Sequence, residues 1–133
     1  MRTKRKIHFV LDASAMLAYL KQEKGYDKVS EAIKIGSSIS TVNFSEVLTK
    51  MIEKEVDMNE VASRLLALGV VTEPFTEEDA HKAADIYKTT RVLGLSMGDR
   101  ACLSLSLRLG LPAMTADTIW AKLGSPFRIV TLR

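Results

Sequence analysis

The sequence predicts an α/β fold in which one domain contains a mostly parallel five-stranded sheet flanked by helices. Short apolar or β-branched runs recur along the chain, and segments with apolar residues at helical spacing separate them. The resulting order is β-α-α-β-α-α-β-α-α-β-α-β, and such alternation is typical of parallel sheets with helices on both faces. We expect a single domain over residues 1–133, because this length and a hydrophobic content of 47% suffice for one core.

Five segments are predicted to be strands, each short and followed by a turn or by a helix-capping residue. They are 7–11, 38–42, 70–75, 111–115 and 127–132. Pro74 lies near the end of the third segment. Because proline cannot donate a backbone hydrogen bond, it indicates either an edge strand or the end of a strand.

The predicted helices lie between these strands and cover 14–20, 26–35, 43–52, 57–68, 76–90, 97–109 and 118–123. Ser14 is expected to cap the first of them. The segment 97–109 also alternates as a strand would, with leucine at Leu103 and Leu105. We predict a helix there because leucine is a good helix former, β-branched residues are missing, and thirteen residues is long for a strand. Ser96 offers a cap and Gly110 a stop.

Composition limits the compartment and the partners. A formal net charge of +3 permits contact with nucleic acid without requiring it, and the four basic residues among the first six are more typical of a solvated terminus than of a binding arm. The single cysteine, Cys102, cannot form an intramolecular disulfide, so we expect a reducing cytoplasm. The apolar run 7–11 is too short for a signal peptide or a membrane span, and no membrane is expected.

Four acidic residues lie near positions where the predicted strands give way to helices. Asp12 follows the first strand directly, Glu46 lies in the first turn of the helix after the second strand, and Asp117 follows the fourth strand by two residues. Asp99 differs, because it opens a helix that is reached from a loop. In an open parallel sheet, ligands bind beyond the carboxyl ends of the strands. We therefore expect these side chains to meet at one edge of the sheet.

If these carboxylates lie close together, a positive charge must offset the repulsion between them. Two carboxylates in close contact repel each other by about 4 kcal/mol at an effective dielectric constant near ~20. A hard divalent cation such as Mg²⁺ or Mn²⁺, bound by carboxylate oxygens and water, would offset this repulsion. His8 and His81 are isolated in the sequence, so no histidine and cysteine cluster suggests zinc instead.

Helix capping offers a structural explanation for some of the same acids, since an acid in the first helical turn is favoured by the helix dipole. The pairs that fit a capping box are Asn43 with Glu46, Asp57 with Glu60, Thr76 with Asp79, and Ser96 with Asp99. Two of these pairs carry no predicted chemistry, so the box alone does not discriminate between the explanations. Asp12 is different, because an apolar strand that runs into Asp-Ala-Ser needs no acid for packing.

Four segments taken together resemble the acidic motifs of PIN domains. They are Val10-Leu11-Asp12-Ala13-Ser14-Ala15, Thr41-Val42-Asn43-Phe44-Ser45-Glu46-Val47, Leu95-Ser96-Met97-Gly98-Asp99-Arg100-Ala101 and Met114-Thr115-Ala116-Asp117. The resemblance runs from Ile7 to Leu132 in the family's order, and the VapC-type toxins of prokaryotic toxin–antitoxin pairs are the most similar. It implies a Mg²⁺- or Mn²⁺-dependent endoribonuclease whose metal and attacking water are held by Asp12, Glu46, Asp99 and Asp117.

The resemblance also implies supporting residues and partners. Ser14, Asn43 and Thr115 match polar positions that support the pocket in the family. The implied partners are an RNA substrate, a second copy of the chain in a homodimer, and a small antitoxin whose C-terminal segment covers the active-site groove. Lys50 and Arg100 are candidates for contact with the RNA backbone, with solvated surface charge as the alternative.

Other functions remain open at this stage. A phosphatase of the haloacid dehalogenase type also uses an aspartate after strand one, but it normally has a second aspartate where this chain has Ser14. A receiver-type signalling domain should have its phosphoacceptor aspartate at the end of strand three, where this chain has Glu73-Pro74-Phe75. A housekeeping PIN-domain nuclease and a non-catalytic interaction module with the PIN fold also stay as alternatives.

Overall fold

The computed structural model describes residues 6–133, in which five strands alternate with six α-helices. The strands are β1 (Phe9–Leu11), β2 (Ser37–Ser40), β3 (Val71–Glu73), β4 (Ala113–Thr115) and β5 (Ile129–Thr131). The helices are α1 (Ala13–Leu20), α2 (Tyr26–Ile35), α3 (Thr41–Glu53), α4 (Met58–Ala67), α5 (Glu77–Thr90) and α6 (Met97–Leu109). Two short 3-10 turns, Arg91–Leu93 and Thr118–Lys122, complete the described elements.

The five strands form one sheet in the order β3-β2-β1-β4-β5, and every neighbouring pair is parallel. The predicted α/β fold is therefore confirmed, and the sheet is parallel throughout. After β1 the chain adds β2 and β3 on one side, and it later adds β4 and β5 on the other side. The gap between the ends of β1 and β4 is thus a topological switch point, where parallel sheets open a crevice for ligands.

Helices cover both faces of the sheet because alternate residues of each strand point to opposite faces. On one face, Leu11 packs with residues of α1 to α4 in a buried apolar cluster that also contains Ile39. On the other face, Val10 packs in a second cluster with Leu103 of α6 and Trp120. The central strand β1 is therefore covered on both sides, which fixes the position of the residue that follows it.

Two predicted helix starts are wrong. The N-cap of α1 is Asp12, whose side chain accepts a hydrogen bond from the backbone of Ala15, so Ser14 lies inside the helix. Helix α3 begins at Thr41 because Ser40 caps it, so Asn43 is a helical residue and forms no capping box with Glu46. Serine is a strong N-cap residue, whereas the β-branched pair after it favours a strand in the sequence pattern.

The remaining boundaries follow the predictions more closely. Segment 97–109 is the helix α6, with a capping box between Ser96 and Asp99 and with Gly110 in the left-handed conformation after it. Strand β3 is an edge strand that ends just before Pro74, as proline at that position indicates. The strands are three or four residues long and shorter than predicted. Among residues 6–133, no helix is long and apolar enough to cross a membrane.

A buried ion pair connects the first turn of α5 to the end of α6. Arg108 donates from Nε to Asp79 Oδ1 at 2.9 Å and from Nη2 to Asp79 Oδ2 at 3.1 Å. The Asp79 side chain is 3% exposed and that of Arg108 is 25% exposed. The aspartate also completes the capping box of α5 with Thr76. The pair therefore supports the helix layer that carries Asp99.

Arg108→Ala should lower the free energy of unfolding by about 2 kcal/mol, because it leaves the Asp79 carboxylate buried without its charged partner. Urea unfolding followed by circular dichroism measures this change. Lys88→Ala is the matched control, since Lys88 pairs with Asp85 at a site where both side chains are more than half exposed. Equal effects of the two substitutions would show that the buried pair does not stabilise the fold.

Candidate active site

Asp12 lies at the end of the central strand and is 3% exposed. Its carboxylate accepts hydrogen bonds from the backbone N of Ala15 at 2.8 Å, from Ser14 Oγ at 2.8 Å and from Thr115 Oγ1 at 2.6 Å. The carboxylate is thus held at the N-terminus of α1, where the helix dipole favours a negative charge. Hydrogen bonding and the dipole together offset part of the cost of burying this acid.

Two side chains connect the end of β1 to the end of β4. Thr115 Oγ1 donates to Asp12 and accepts from the backbone N of Asp117 at 3.0 Å. Ser14 Oγ accepts from the backbone N of Ala116 at 2.9 Å. The structure therefore brings Ser14, Thr115 and Asp117 to the topological switch point beside Asp12. There Asp117 caps the following 3-10 turn, accepting from Ile119 N at 3.0 Å.

Asn43 and Glu46 reach the site from α3. The Asn43 side chain is 1% exposed, and its Nδ2 donates to Glu46 Oε1 at 2.8 Å and to the backbone oxygen of Gly98 at 2.9 Å. One amide group therefore ties α3 to the first turn of α6. The other end of the same amide, Asn43 Oδ1, is buried without a hydrogen-bond partner among the described residues.

Asp99 lies in the first turn of α6 and takes part in its capping box. Its Oδ2 accepts from the backbone N of Ser96 at 2.8 Å, and its own backbone N donates to Ser96 Oγ at 3.1 Å. The capping explanation is therefore correct for Asp99, but it does not account for the whole side chain. The second carboxylate oxygen, Oδ1, has no hydrogen bond among residues 6–133 and is available to another partner.

Nearby negative charges affect the pKa values of Asp12 and Cys102. Burial raises the pKa of Asp12 from 3.8 to about 6, hydrogen bonds from Thr115, Ala15 and Ser14 lower it, and the negative charge of Asp99 raises it. Cys102, fully buried in α6, also has a raised pKa, first because of burial and then because of the charges of Asp12, Asp99 and Glu46. The three carboxylates thus lie close enough to act on one buried thiol.

The fit of a divalent cation to this site can be judged from its donor atoms. Carboxylate oxygens and a buried amide oxygen without a hydrogen bond are the donor types that Mg²⁺ and Mn²⁺ prefer. As the side chains stand, however, no group of three or more His, Cys, Asp or Glu residues within 6–133 is gathered tightly enough to hold a metal ion. The chemistry therefore fits, and the carboxylates would have to turn from their local hydrogen bonds to converge on a cation.

The two basic residues proposed for RNA contact occupy different settings. Lys50 is exposed and pairs with Glu53 at 3.4 Å. Arg100 donates from Nη1 to the backbone oxygen of Ala83 at 3.0 Å, and its guanidinium lies 5.2 Å from the ring centre of Tyr87. The structure thus gives Arg100 a role in joining α6 to α5. Contact of either residue with RNA stays a prediction.

Sequence reasoning missed Gly98 as part of the site. It is buried in the first turn of α6, and its backbone oxygen accepts the hydrogen bond from Asn43. The available signal was a glycine inside a predicted helix, which costs stability and usually has a packing reason.

A separate cavity of about 730 Å³ beside α2 is lined by Phe9, Tyr26 and Met114 among others, and none of the four acids lines it.

Comparison with known proteins places the chain in a family. The model of the PIN domain matches residues 9–125, and the chain therefore belongs to the PIN-domain family. A search of curated protein sequences finds no significant match. The family assignment confirms the resemblance that the four acidic motifs indicate.

Solved structures share the fold at low sequence identity. A toxin–antitoxin complex from Klebsiella pneumoniae aligns with a TM-score of 0.73 and 14% identity, over 93% of this chain and 97% of the other. DNA-bound VapBC from Salmonella typhimurium aligns with a TM-score of 0.73 and 12% identity, over 96% and 100% of the two chains. The toxin VapC20 from Mycobacterium tuberculosis, which cleaves the sarcin-ricin loop, aligns with a TM-score of 0.69 and 16% identity, over 90% and 98%.

Asp12→Asn should raise the free energy of unfolding at pH 8 without metal, by about 1 to 3 kcal/mol, and change it little at pH 4. The pKa of Asp12 is raised on folding, so the wild type loses stability as the pH rises from about 4 through about 6. Asparagine keeps the N-cap without the buried charge. Urea unfolding at a series of pH values measures the difference.

Asp57→Asn is the matched control for this prediction. Asp57 caps α4 in the same way as Asp12 caps α1, but it is exposed. Its substitution should have no pH-dependent effect of comparable size. A gain at Asp12 that does not vary with pH, or a loss of stability at pH 8, would contradict the explanation by burial.

Proposed function

We propose that the protein is a metal-dependent endoribonuclease that hydrolyses RNA phosphodiester bonds and acts as the toxin of a type II toxin–antitoxin pair. The observation that carries the proposal is geometric: Thr115 bonds the Asp12 carboxylate to the end of β4, and Asn43 bonds Glu46 to the first turn of α6, which also carries Asp99. Nuclease activity is typical of the PIN family, to which the chain belongs. Thr115 connects Asp117 to this set, because its hydroxyl donates to the Asp12 carboxylate and accepts from the backbone N of Asp117.

Four carboxylates would hold the cation: Asp12, Glu46, Asp99 and Asp117. When bound, Mg²⁺ or Mn²⁺ stabilises negative charge on phosphate oxygens and makes water a better nucleophile at neutral pH. The residues of the chain would bind the cation and hold it in position. Three of the carboxylates each have one oxygen engaged by a local donor, and the other oxygen has no hydrogen bond among residues 6–133; these are Glu46, Asp99 and Asp117.

Hydrogen bonds from neighbouring polar side chains restrict the conformations of the acidic side chains. Ser14 and Thr115 both bond to the Asp12 carboxylate and to the backbone that leads to Asp117. Asn43 bonds to Glu46 and to the first turn of α6. Such hydrogen bonds to metal-binding side chains typically contribute about ten- to hundredfold in metal affinity or activity. We therefore assign Ser14, Asn43 and Thr115 to the support of the site.

Partners are proposed from the structural neighbours. Toxin–antitoxin and VapBC assemblies are among them, and VapC20 is described as a toxin that cleaves the sarcin-ricin loop. By analogy we propose an RNA substrate, a small cognate antitoxin and a homodimer for this chain, with Lys50 and Arg100 as further contacts to the RNA backbone. A reduced, buried Cys102 agrees with a cytoplasmic location.

Two related functions are distinguished by observations on the gene and the protein. A housekeeping PIN-domain nuclease would cleave RNA but would lack a short neighbouring reading frame that encodes an antitoxin. A non-catalytic interaction module would neither bind Mn²⁺ nor cleave RNA. The toxin role therefore requires both cleavage and a neighbouring antitoxin gene.

Glu46→Gln should reduce Mn²⁺-dependent RNA cleavage by at least about a hundredfold, because it removes one of the proposed anionic metal ligands while keeping the side-chain size. Cleavage of a labelled RNA pool with Mn²⁺, and again with EDTA, measures the effect. Glu53→Gln is the matched control, since Glu53 lies on the same helix and is exposed like Glu46, but it pairs with Lys50 rather than with Asn43. Its cleavage rate should equal that of the wild type.

Thermal melts separate lost chemistry from lost folding in these variants. Glu46→Gln and Asp99→Asn should melt at the same temperature as the wild type without metal, or slightly higher, because repulsion between carboxylates is relieved. Cleavage that persists in EDTA or in Glu46→Gln would sink the proposed chemistry. A large fall in melting temperature for Asp99→Asn would favour a purely structural role in the capping box.

The isolated protein should sediment as a homodimer, at twice the chain mass of 14.7 kDa. Sedimentation velocity over a hundredfold range of protein concentration measures this mass. Dilution to the lowest concentrations should separate the copies only if the dimer is weak. A monomer mass throughout the range would contradict the homodimer.

A further inference from the structure

Gly98 lies against the carboxyl group of Glu46. A Cβ atom added at Gly98 would come closer than van der Waals contact to both carboxylate oxygens and to Cδ of Glu46. Those three are the nearest atoms that such a Cβ would meet. The carboxyl group of Glu46 therefore occupies the space that any side chain at this position of α6 would fill.

Asn43 holds the Glu46 carboxylate in that space. Its Nδ2 group donates to Glu46 Oε1 and to the backbone oxygen of Gly98, so a single amide spans both partners. Asn43 is 1% exposed and Gly98 is buried. Carboxylate, amide and glycine backbone thus form one closely packed contact between α3 and α6.

The backbone of Gly98 does not itself require glycine. Five other glycines have a positive φ that favours glycine, and Gly98 is not among them. Glycine is less favourable than alanine in a helix, by up to about 1 kcal/mol in the interior, and Gly98 lies in the first turn. The residue therefore lowers the stability of α6 without a conformational reason, and the contact with Glu46 supplies the reason.

We propose that Gly98 is a positioning residue: because it has no side chain, it leaves the space in which Asn43 holds the Glu46 carboxylate against the first turn of α6, which also carries Asp99. The inference rests on the proposed function, in which the Glu46 carboxylate is a ligand of the cation and its position therefore matters. A side chain at residue 98 pushes the carboxylate away from Asn43 and from its place against α6. The fold tolerates this, since the displaced group is the far end of a flexible side chain.

Gly98→Ala tests the proposal, with Gly124→Ala as the matched control. Gly124 has no atom within 4 Å of an added Cβ, and its φ is outside the left-handed region. Without metal, Gly98→Ala should melt no lower than the wild type, because alanine favours the helix. Its affinity for Mn²⁺, measured by calorimetry, and its rate of RNA cleavage should each fall about ten- to hundredfold, while Gly124→Ala matches the wild type.

A metal-free readout tests the geometry on its own. The side-chain amide resonances of Asn43 in ¹H–¹⁵N spectra should shift in Gly98→Ala, because the carboxylate that accepts from Nδ2 has moved. They should stay in place in Gly124→Ala. Unchanged Asn43 resonances in Gly98→Ala, or a melting temperature well below that of the wild type, would overturn the positioning role.

A double substitution checks that Glu46 carries the effect. Glu46→Asp shortens the side chain by one methylene and withdraws the carboxylate from Gly98. Adding Gly98→Ala to this variant should therefore cost less Mn²⁺ affinity than it costs the wild type. Equal costs would overturn the proposal. Wild-type Mn²⁺ affinity in Glu46→Gln would instead refute the proposed function, whatever the Asn43 resonances show.

Discussion

The burial of the Asp12 carboxylate at the end of the central strand is the constraint on which the rest of the site depends. Because the acid is almost fully enclosed, it requires hydrogen-bond donors, and Ser14, Ala15 and Thr115 supply them. Those donors join β1 to β4 across the topological switch point and bring Asp117 near. Even so, the pKa of Asp12 is raised to about 6, so at neutral pH the folded chain carries a buried charge at a cost to its stability. Under the proposed function, a bound cation would offset this cost.

Capping and the proposed chemistry use the same side chains. Asp12 and Asp117 each cap the helix or turn that follows them, and Asp99 completes the capping box of α6 with Ser96. In all three cases a carboxylate oxygen accepts the hydrogen bond. The caps hold the acids at the sheet edge, but they also keep the carboxylates turned toward their own helices. This explains why residues 6–133 contain no tightly gathered metal-binding group, although the charges of Asp12, Asp99 and Glu46 all raise the pKa of Cys102. Under the proposed function, a cation binds the oxygens that the caps of Asp99 and Asp117 leave without a hydrogen bond, and the side chains turn toward it.

Much of the fold follows from the sequence pattern, because the order of elements depends on local periodicity. The helix α6 is predictable from leucine content and its Ser96 cap, although its leucines alternate. The start of α3 cannot be predicted in this way, because the β-branched Thr41 and Val42 favour a strand, whereas in the structure Ser40 caps a helix that begins at Thr41. The positions of Asp12, Glu46 and Asp117 after strands indicate a site, whereas Asp99 follows a loop and is indicated by the family motif. The contact between Gly98 and Glu46 could not be predicted from the sequence, because α3 and α6 lie far apart along the chain and meet only in the folded structure.

The central claim is that acids from different elements form one pocket able to seat a divalent ion. The most direct measurement is a crystal structure grown with Mn²⁺, in which anomalous scattering locates the metal. The account predicts an anomalous peak within coordination distance of carboxylate oxygens from Asp12 and Asp99, with the Asp99 side chain turned away from its cap. A well-ordered site with no peak between these acids, at Mn²⁺ concentrations that support RNA cleavage, would contradict it.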